Sequence, residues 1–403
     1  HFFPAMRGRV VLVGAASAAG GLLFFLGDPR ETRTYESIAT AGMGVLRSLD
    51  PETAHGLSIT LCRLGLAPRA LESKRKAGLQ LKVMGMVFDS PVGLAAGYDK
   101  QAQVIPALLD MGFGFVEVGG VTPLPQPGNP RPRMFRLPED RAVINRFGLN
   151  SEGQDVVAER LVKFKEEGHS GVVGVNLAKN TASEDAVADY VAGMCRLGPL
   201  VDFVVLNVSC PNVKWTSKLS KNEDAMFRLV SQVQQARGAI PEASRPKLLL
   251  KLGPDMDAAG KRHMAKLALD CSVDGLVVSN TTSTRPNSLV SPDRDQKGGL
   301  SGEPLKVVAE QTLRDMYSLT GGHIPIIGVG GISSAQDAYR RIRAGASLVQ
   351  IYTALVYDGP ALVRRMNEEL DELARKDGFR GVAEAIGADY RDAQSSKGVA
   401  VKK

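Results

Sequence analysis

Eight short apolar runs separated by helix-like stretches constrain the fold of this chain more than any other feature. Continuous Val, Ile and Leu runs are typical of strands covered on both faces, and their alternation with helices indicates parallel β/α units. Eight such units predict an α/β fold of the (β/α)8 TIM-barrel type. A doubly wound sheet is the alternative, but no G-x-G-x-x-G follows the first run. The runs are Pro91–Ala96, Gly114–Gly119, Val172–Leu177, Phe203–Val208, Leu248–Leu252, Gly275–Ser279, Ile324–Val329 and Leu348–Tyr352.

Asn and Lys residues follow these runs, where barrels carry their chemistry at the carboxyl ends of the strands. The residues at the strand ends include no His, and the five His residues of the chain are scattered. The sequence therefore excludes Ser-His-Asp hydrolysis and gives no metal cluster. Asn carries both a donor and an acceptor, so a ring of Asn suits a planar ligand whose edge alternates N–H and C=O, as in pyrimidines and flavins. The strand-end residues are Lys100, Asn145, Asn176, Asn207, Cys210, Lys251, Asn280, Thr281, Gly330 and Gly331.

Cys210 lies where the fourth run stops, inside Leu206-Asn207-Val208-Ser209-Cys210-Pro211-Asn212. A thiol between two carboxamides at a strand end fits a base or a nucleophile. The alternative is one more small buried residue, since free Cys is often buried. Cys62, Cys195 and Cys271 lie in ordinary helical or strand patterns, without polar company in the sequence.

A phosphate site is expected at the loops after the seventh and eighth strands. The seventh run ends in Gly328-Val329-Gly330-Gly331, followed by Ser333-Ser334 as a helix N-cap, and the eighth ends in Tyr352-Thr353. Glycine amides could approach an anion closely there, although a lone Gly-Gly can also be only a tight turn.

The chain resembles the membrane-associated, quinone-linked (class 2) dihydroorotate dehydrogenases, which are FMN enzymes of pyrimidine synthesis. The resemblance covers Asp28 to about Asp392 and is carried by several specific segments. They are Ala95-Ala96-Gly97-Tyr98-Asp99-Lys100, Gly128-Asn129-Pro130-Arg131-Pro132-Arg133, Arg136-Leu137-Pro138-Glu139-Asp140, Ile144-Asn145-Arg146, Gly174-Val175-Asn176-Leu177 and Gly299-Leu300-Ser301-Gly302.

The resemblance implies a role for individual positions. Those that match FMN-binding positions are Ala95, Ala96, Gly97, Gly120, Asn145, Asn176, Asn207, Lys251, Ser279, Gly302, Gly330, Gly331, Tyr352 and Thr353. Those that match substrate-binding positions are Lys100, Asn145, Arg146, Phe147, Gly148, Leu149, Asn207, Asn212, Asn280 and Thr281. His55, Arg136 and Tyr352 match the inner end of a ubiquinone tunnel.

The implied reaction is oxidation of dihydroorotate to orotate, with Cys210 removing a proton from C5 and a hydride passing from C6 to flavin N5. Lys251 and Lys100 are the other catalytic candidates: one as a cation beside the flavin, the other paired with the substrate carboxylate. Three departures stand out. Cys210 replaces the Ser usual in the class 2 branch and is the class 1 base, while Leu149 and Gly120 stand where Phe and Ser are expected.

The amino-terminal residues favour the quinone-linked branch. Val10–Gly27 has no charge, and we expect residues 1–30 to be a targeting or transmembrane anchor segment, with a cleaved signal ending near Ala16-Ser17-Ala18 as the alternative. Residues 31–78 are predicted to form a helical, membrane-associated quinone-tunnel module with helices over Thr32–Leu49 and Pro51–Leu64. Residues 79–392 would form the FMN-binding barrel, and 393–403 a disordered tail.

Composition limits the partners. The net charge is +7, but the charge is dispersed and only 5% of residues are aromatic, so nucleic-acid binding is not expected and attraction to anionic lipid is simpler. The predicted location is the mitochondrial inner membrane, with one span and the catalytic part facing the intermembrane space.

Two long loops are predicted over the barrel mouth. They are Val213–Asp224, which carries Trp215, and Thr282–Glu303.

Two alternatives to the quinone-linked enzyme remain open. A class 1-like enzyme would pass electrons to fumarate or NAD, and only Cys210 favours it. A membrane-attached protein could instead bind FMN without turnover. Lys100, Lys251 and the asparagines argue against that reading.

Overall fold

A closed barrel of eight parallel strands forms the centre of the protein, as seen in a computed structural model that describes residues 29–70, 77–209 and 222–391. Each strand pairs in parallel with the next along the chain, and the last pairs with the first. The TIM-barrel prediction is therefore confirmed. The barrel strands are β3 (Val92–Leu94), β4 (Phe115–Val121), β7 (Val172–Leu177), β8 (Phe203–Asn207), β9 (Lys247–Leu252), β10 (Gly275–Val278), β12 (Ile326–Val329) and β13 (Ala346–Ile351).

The predicted strand positions agree with the structure to within a few residues at either end. The Val172–Leu177 run coincides with β7, while β10 ends one residue before the predicted Ser279. Runs of Val, Ile and Leu mark strands that are buried on both faces, and every residue of β8 except Asn207 is buried.

The lower half of the barrel interior is filled by aromatic and branched side chains. Phe115 and Phe203 pack there with ring centroids 6.1 Å apart. Glycines make room for them, because a Cβ at Gly93 would lie 2.3 Å from the Phe115 ring and one at Gly174 would lie 2.0 Å from the Phe203 ring. An antiparallel hairpin of β1 (Leu81–Val83) and β2 (Met86–Phe88) contributes Phe88 to the same cluster.

Helices cover the outside of the barrel and bury their apolar faces against the strands. They are α3 (Ile105–Asp110), α4 (Gln154–Glu166), α5 (Ala186–Leu197), α6 (Glu223–Gly238), α7 (Ala258–Asp270), α8 (Lys306–Leu319), α9 (Ala335–Arg343), α10 (Thr353–Asp358), α11 (Ala361–Lys376) and α12 (Val382–Ala385).

Two amino-terminal helices, α1 (Arg33–Ser48) and α2 (Pro51–Arg63), lie beside the barrel mouth at nearly the predicted positions. Asp50 caps α2, since its Oδ1 accepts a hydrogen bond from Thr53 N at 2.9 Å. No helix in the described parts of the chain is both long enough and apolar enough to cross a membrane. Val10–Gly27, the predicted anchor, lies outside the described residues, as do Trp215 and the tail 393–403.

A three-stranded sheet projects from the barrel mouth. Strands β5 (Met134–Leu137) and β6 (Ala142–Asn145) form a hairpin, and β11 (Gly299–Gly302) pairs antiparallel with β6. The interpretation of Thr282–Glu303 as a loop was therefore wrong in its last part, because Gly299–Gly302 is a strand and Pro292–Asp295 a 3-10 turn. The sheet places Asn145, at the end of β6, over the barrel mouth.

Candidate active site

A cavity with an empty volume of about 1390 Å3, partly open to solvent, lies at the carboxyl ends of the barrel strands. We call it the first cavity. Its wall contains twenty of the predicted site residues, although they are spread along most of the chain. They are Ala95, Ala96, Gly97, Lys100, Gly120, Asn145, Phe147, Gly148, Leu149, Asn176, Asn207, Lys251, Ser279, Asn280, Thr281, Gly302, Gly330, Gly331, Tyr352 and Thr353.

Three of the residues predicted to act in catalysis or to bind FMN or substrate are not placed in this wall. Cys210 and Asn212 lie outside the described residues. Arg146 points away from the first cavity: its Nη1 donates to Gln296 Oε1 at 2.9 Å, and its guanidinium lies 4.5 Å from the Phe135 ring centroid. Because successive residues of an extended chain point in opposite directions, Asn145 can face the cavity while Arg146 cannot.

A directed chain of amide hydrogen bonds crosses the floor of the first cavity. Asn280 Nδ2 donates to Asn207 Oδ1, and Asn207 Nδ2 donates to Asn176 Oδ1, both at 3.1 Å. Asn176 Nδ2 then donates to Glu117 Oε1 at 2.7 Å. The three amides come from the ends of β7, β8 and β10, so the parallel barrel brings them together.

Glu117 and Gln350 belong to this network and were missed in the sequence. Both side chains are fully buried, and Gln350 Nε2 donates to Glu117 Oε2 at 2.7 Å. Lys251 Nζ lies 3.8 Å from Glu117 Oε1. The signal in the sequence was a single polar residue inside each apolar run, which is costly to bury unless it is paired.

Lys100 stands at the edge of the first cavity. Its Nζ donates to Gly97 O at 2.6 Å and lies 4.3 Å from the Phe147 ring centroid. Burial, helped by the nearby Arg133 charge, lowers the pKa of Lys100 to about 8. A weakly solvated cation of this kind could bind a carboxylate.

The loop after β12 has a tight glycine turn followed by a helix N-terminus, the pattern from which the sequence predicts a phosphate site. Gly331 has a φ of +69°, and a Cβ there would lie 2.4 Å from Lys306 Cα, so only glycine fits. Ser334 is the N-cap of α9 as predicted, and its side chain accepts a hydrogen bond from Asp337 N at 3.1 Å. Arg341, buried behind this loop, donates to Gly330 O at 3.0 Å.

A second cavity, with an empty volume of about 1590 Å3, lies between α1, α2 and the barrel. Most of its wall is apolar, and His55, Arg136 and Tyr352, the three predicted tunnel residues, all lie in it. Met134, Tyr352 and Val356 line both cavities, so these residues separate them. Arg136 also fixes the end of α1, since its Nη1 donates to Arg47 O and Leu49 O at 2.8 Å.

A small polar cluster lies at the inner end of the second cavity. The Tyr98 hydroxyl donates to Ser58 Oγ at 3.1 Å and lies 3.8 Å from Cys62 Sγ. Cys62 therefore does have a polar neighbour, contrary to the expectation from the sequence. The His55 ring packs edge-on against Tyr98 at 5.3 Å, and burial, followed by repulsion from Lys100, lowers the pKa of His55 to about 4. His55 is thus neutral near neutral pH.

No group of three or more His, Cys, Asp or Glu side chains with the arrangement of a metal site occurs in residues 29–70, 77–209 and 222–391. The wall of the first cavity contains several amides and two lysines, together with Arg141 and Glu303. This donor-rich set suits a planar, anionic organic molecule.

Comparisons with known proteins agree with this geometry. The family model for dihydroorotate dehydrogenase matches residues 78–374. The chain is 45% identical over 394 residues to the mitochondrial dihydroorotate dehydrogenase (quinone) of Mus musculus, covering 96% of this chain and 98% of that protein. It is 49% identical over 350 residues to the dihydroorotate dehydrogenase (quinone) of Rhodospirillum rubrum, covering 87% of this chain and 94% of that one.

A solved structure gives the same result. A crystal structure of DHODH from Eimeria tenella in complex with ferulenol superposes with a TM-score of 0.81 at 41% identity, covering 85% of this chain and 96% of that chain. Family model, relatives and fold agree over most of the sequence. The chain belongs to the dihydroorotate dehydrogenase family.

Proposed function

We propose that the protein is a quinone-linked dihydroorotate dehydrogenase, which oxidises dihydroorotate to orotate with FMN and passes the electrons to ubiquinone. The observation that carries the proposal is the pair of cavities: one lined by amides and lysines, the other mostly apolar, with Tyr352 in the wall of both. Two substrates of opposite polarity need two such sites. Curated relatives named dihydroorotate dehydrogenase (quinone) support the assignment.

The residues of the first cavity fit FMN. Gln350 Oε1 and Asn150 Oδ1 are buried there without a hydrogen-bond partner among the described residues, and an isoalloxazine edge could donate to such acceptors. Lys251 would stabilise negative charge on the ring, and the Gly330-Gly331 loop with Thr353 would hold the phosphate. FMN, when bound, supplies the acceptor for the substrate hydride.

The substrate would lie against the amide chain. Lys100 would pair with the carboxylate of dihydroorotate, and Asn145, Asn207, Asn280 and Thr281 would hydrogen-bond its ring. Leu149 Cδ2 lies 3.5 Å from where a Cβ at Gly120 would stand, so the two departures from the class 2 pattern are neighbours in the cavity wall. Packing of Leu149 would exclude water from the ring.

Cys210 would be the base that removes the C5 proton. A thiol has an ordinary pKa of about 8.5, so it is a far better base near neutrality than an alcohol. Alkylation should therefore inactivate the enzyme, and orotate should protect it. The control is Cys210→Ser treated in the same way, since Cys62, Cys195 and Cys271 also carry thiols and Cys195 is exposed. Full activity after stoichiometric modification of Cys210 would remove it from the mechanism.

Ubiquinone would enter through the second cavity, with His55, Arg136 and Tyr352 at its inner end. We propose that residues 31–78 form the membrane-associated quinone-tunnel module. It would follow an anchor segment in residues 1–30 and precede the barrel in residues 79–392 and a tail in residues 393–403. The location would be the mitochondrial inner membrane, with a single span and the barrel facing the intermembrane space. Relatives from Mus musculus and Oryza sativa are named mitochondrial, which supports the first part of this location.

An acceptor screen with the purified protein tests the function. Orotate formation from dihydroorotate should depend on decylubiquinone and should be slow with fumarate or NAD. Faster turnover with fumarate or NAD would support the class 1-like alternative that Cys210 allows. Absence of orotate with every acceptor, in protein that retains FMN, would leave only the non-catalytic alternative.

A further inference from the structure

Glu117 lies beneath the floor of the first cavity but does not line it. Its side chain is 0% exposed, and it accepts hydrogen bonds from Asn176 and Gln350, each at 2.7 Å. These three residues come from β4, β7 and β13; β7 pairs with β4, and β3 lies between β4 and β13. The carboxylate is therefore the meeting point of two amides that reach the cavity wall.

All the amides between Glu117 and the far side of the cavity point in one direction. Asn176, Asn207 and Asn280 each donate toward Glu117 and accept from the side away from it. At the far end, Thr281 N donates to Asn280 Oδ1 at 2.9 Å. The chain thus has a carboxylate at one end and a backbone N–H at the other.

This direction has a physical cause. The two ends of a carboxamide have nearly the same shape, so packing alone does not decide which end carries the donor. A carboxylate can only accept, so Asn176 must turn its Nδ2 toward Glu117 and its Oδ1 toward Asn207. The same choice then passes to Asn207 and Asn280. Gln350 must likewise donate to Glu117, which leaves its Oε1 without a partner among the described residues.

We propose that Glu117 is a positioning residue that fixes the donor and acceptor orientation of Asn176, Asn207 and Asn280, and so the hydrogen-bond pattern presented to the substrate ring. The proposal rests on the proposed function, since it takes dihydroorotate and orotate as the ligands of that surface. The alternative is that Glu117 only neutralises the charge of Lys251, whose Nζ lies 3.8 Å from Glu117 Oε1.

Two variants separate these roles. Glu117→Gln keeps the shape but can donate or accept, so the orientation of Asn176 is no longer fixed from this end, and only the Thr281 N–H at the far end still sets the direction of the chain. The swap Glu117→Gln with Gln350→Glu restores it: Gln at 117 would donate to the carboxylate at 350 and would again accept from Asn176. The swap therefore rebuilds the orientation of the chain while the charge moves to another strand, and the second oxygen of the carboxylate at 350 can still accept from the isoalloxazine edge.

The measurement is the Kd of orotate for the FMN-loaded protein, followed by the change in the flavin spectrum. Loss of one or two well-oriented hydrogen bonds should raise the Kd about tenfold in Glu117→Gln. The swap should return it to within about twofold of the unmodified protein. In turnover, KM for dihydroorotate should follow the same pattern, with a smaller change in kcat.

Asp274→Asn is the matched control. It also removes a carboxylate that ties two barrel strands, since Asp274 accepts from Leu248 N at 2.9 Å, but at the opposite end of the barrel. The orotate Kd of this control should not change. If Glu117→Gln does not fold, the swap alone decides, because retained affinity supports orientation and a tenfold loss contradicts it.

The proposal is overturned if Glu117→Gln binds orotate as tightly as the unmodified protein, or if the swap binds as weakly as the single variant. Failure of the proposed function has a different signature, because the unmodified protein would then show no orotate-dependent spectral change. The two failures are therefore distinguishable in one experiment.

Discussion

The two cavities meet at Tyr352 but are built in different ways. The first is formed at strand ends, and its polar side chains are fixed by one another, as in the chain from Asn280 to Glu117. The second is formed largely by α1 and α2, with an apolar wall and few hydrogen-bonding groups. Oriented hydrogen bonds need a rigid frame, whereas binding of an apolar ring needs mainly shape and dry surface.

A small number of ion pairs attach α1 and α2 to the rest of the protein. Arg133 forms a bidentate ion pair with Glu52 of α2, in which Arg133 Nη2 lies 2.8 Å from Glu52 Oε1. Arg364 pairs with Glu36 of α1 at 2.7 Å. A few such contacts can hold the helices while leaving the second cavity between them. We therefore expect changes in one cavity to leave the half-reaction in the other largely intact.

The largest effect should come from the first cavity. Lys251→Met removes the cation beside the amide chain and should lower kcat for dihydroorotate oxidation about a hundredfold or more. Lys247→Met is the control, because Lys247 lies at the other end of the same strand and pairs with Asp274 at 3.4 Å. Stopped-flow measurement of flavin bleaching checks this. Equal bleaching rates in the two variants would contradict the role of Lys251.

The affinity of the first cavity for orotate should also depend on pH. Because burial lowers the pKa of Lys100 to about 8, its charge is present below that pH and is lost above it. Orotate should therefore bind about tenfold more weakly at pH 9 than at pH 7. In Lys100→Arg the charge persists, so this pH dependence should disappear. Spectral titration at several pH values measures it, and identical pH profiles for the two proteins would refute the assignment.

Filling the second cavity should affect only the quinone step. Gly42 lines that cavity, and nothing lies within 4 Å of a Cβ built there, so Gly42→Phe is compatible with α1. We expect KM for decylubiquinone to rise about fivefold, with the orotate Kd unchanged. Gly44→Phe is the matched control, since Gly44 is equally open but does not line the cavity. A similar change in both variants would argue against quinone entry here.

The smallest effect should be on stability. The pKa of His55 is lowered to about 4 by burial, so the folded protein resists protonating it. Its contribution is present above the unfolded pKa of about 6.5 and is lost as pH falls toward 4. Discounted for partial exposure, the loss between pH 7 and pH 5 should be about 1 kcal/mol. Thermal unfolding of His55→Gln should lack this component, and an unchanged acid dependence would contradict it.

Much of the fold could be predicted from the sequence because the signals were local. Apolar runs such as Val172–Leu177 mark buried parallel strands, and Asp50-Pro51 marks a helix start. The three-stranded sheet could not be predicted in the same way, because β11 pairs with β6 from more than 150 residues away and is only four residues long. Its identity depends on that pairing rather than on its own pattern.

The candidate site was predictable as far as strand ends and family resemblance reached. Glu117 and Gln350 were missed because they face inward from within strands, where the sequence pattern resembles core. Arg146 does not line the first cavity although Asn145 does, because neighbours in an extended chain can point in opposite directions. Side-chain direction and pairing between distant strands are properties of the folded chain.

The central claim is that dihydroorotate and quinone act at separate cavities joined through one FMN. Anaerobic titration of the FMN-loaded protein with dihydroorotate, followed by decylubiquinone, tests it most directly. We predict that an equimolar amount of dihydroorotate bleaches the flavin and that an equimolar amount of decylubiquinone restores its absorbance. A bleached protein that fumarate or NAD restores while decylubiquinone does not would contradict the account.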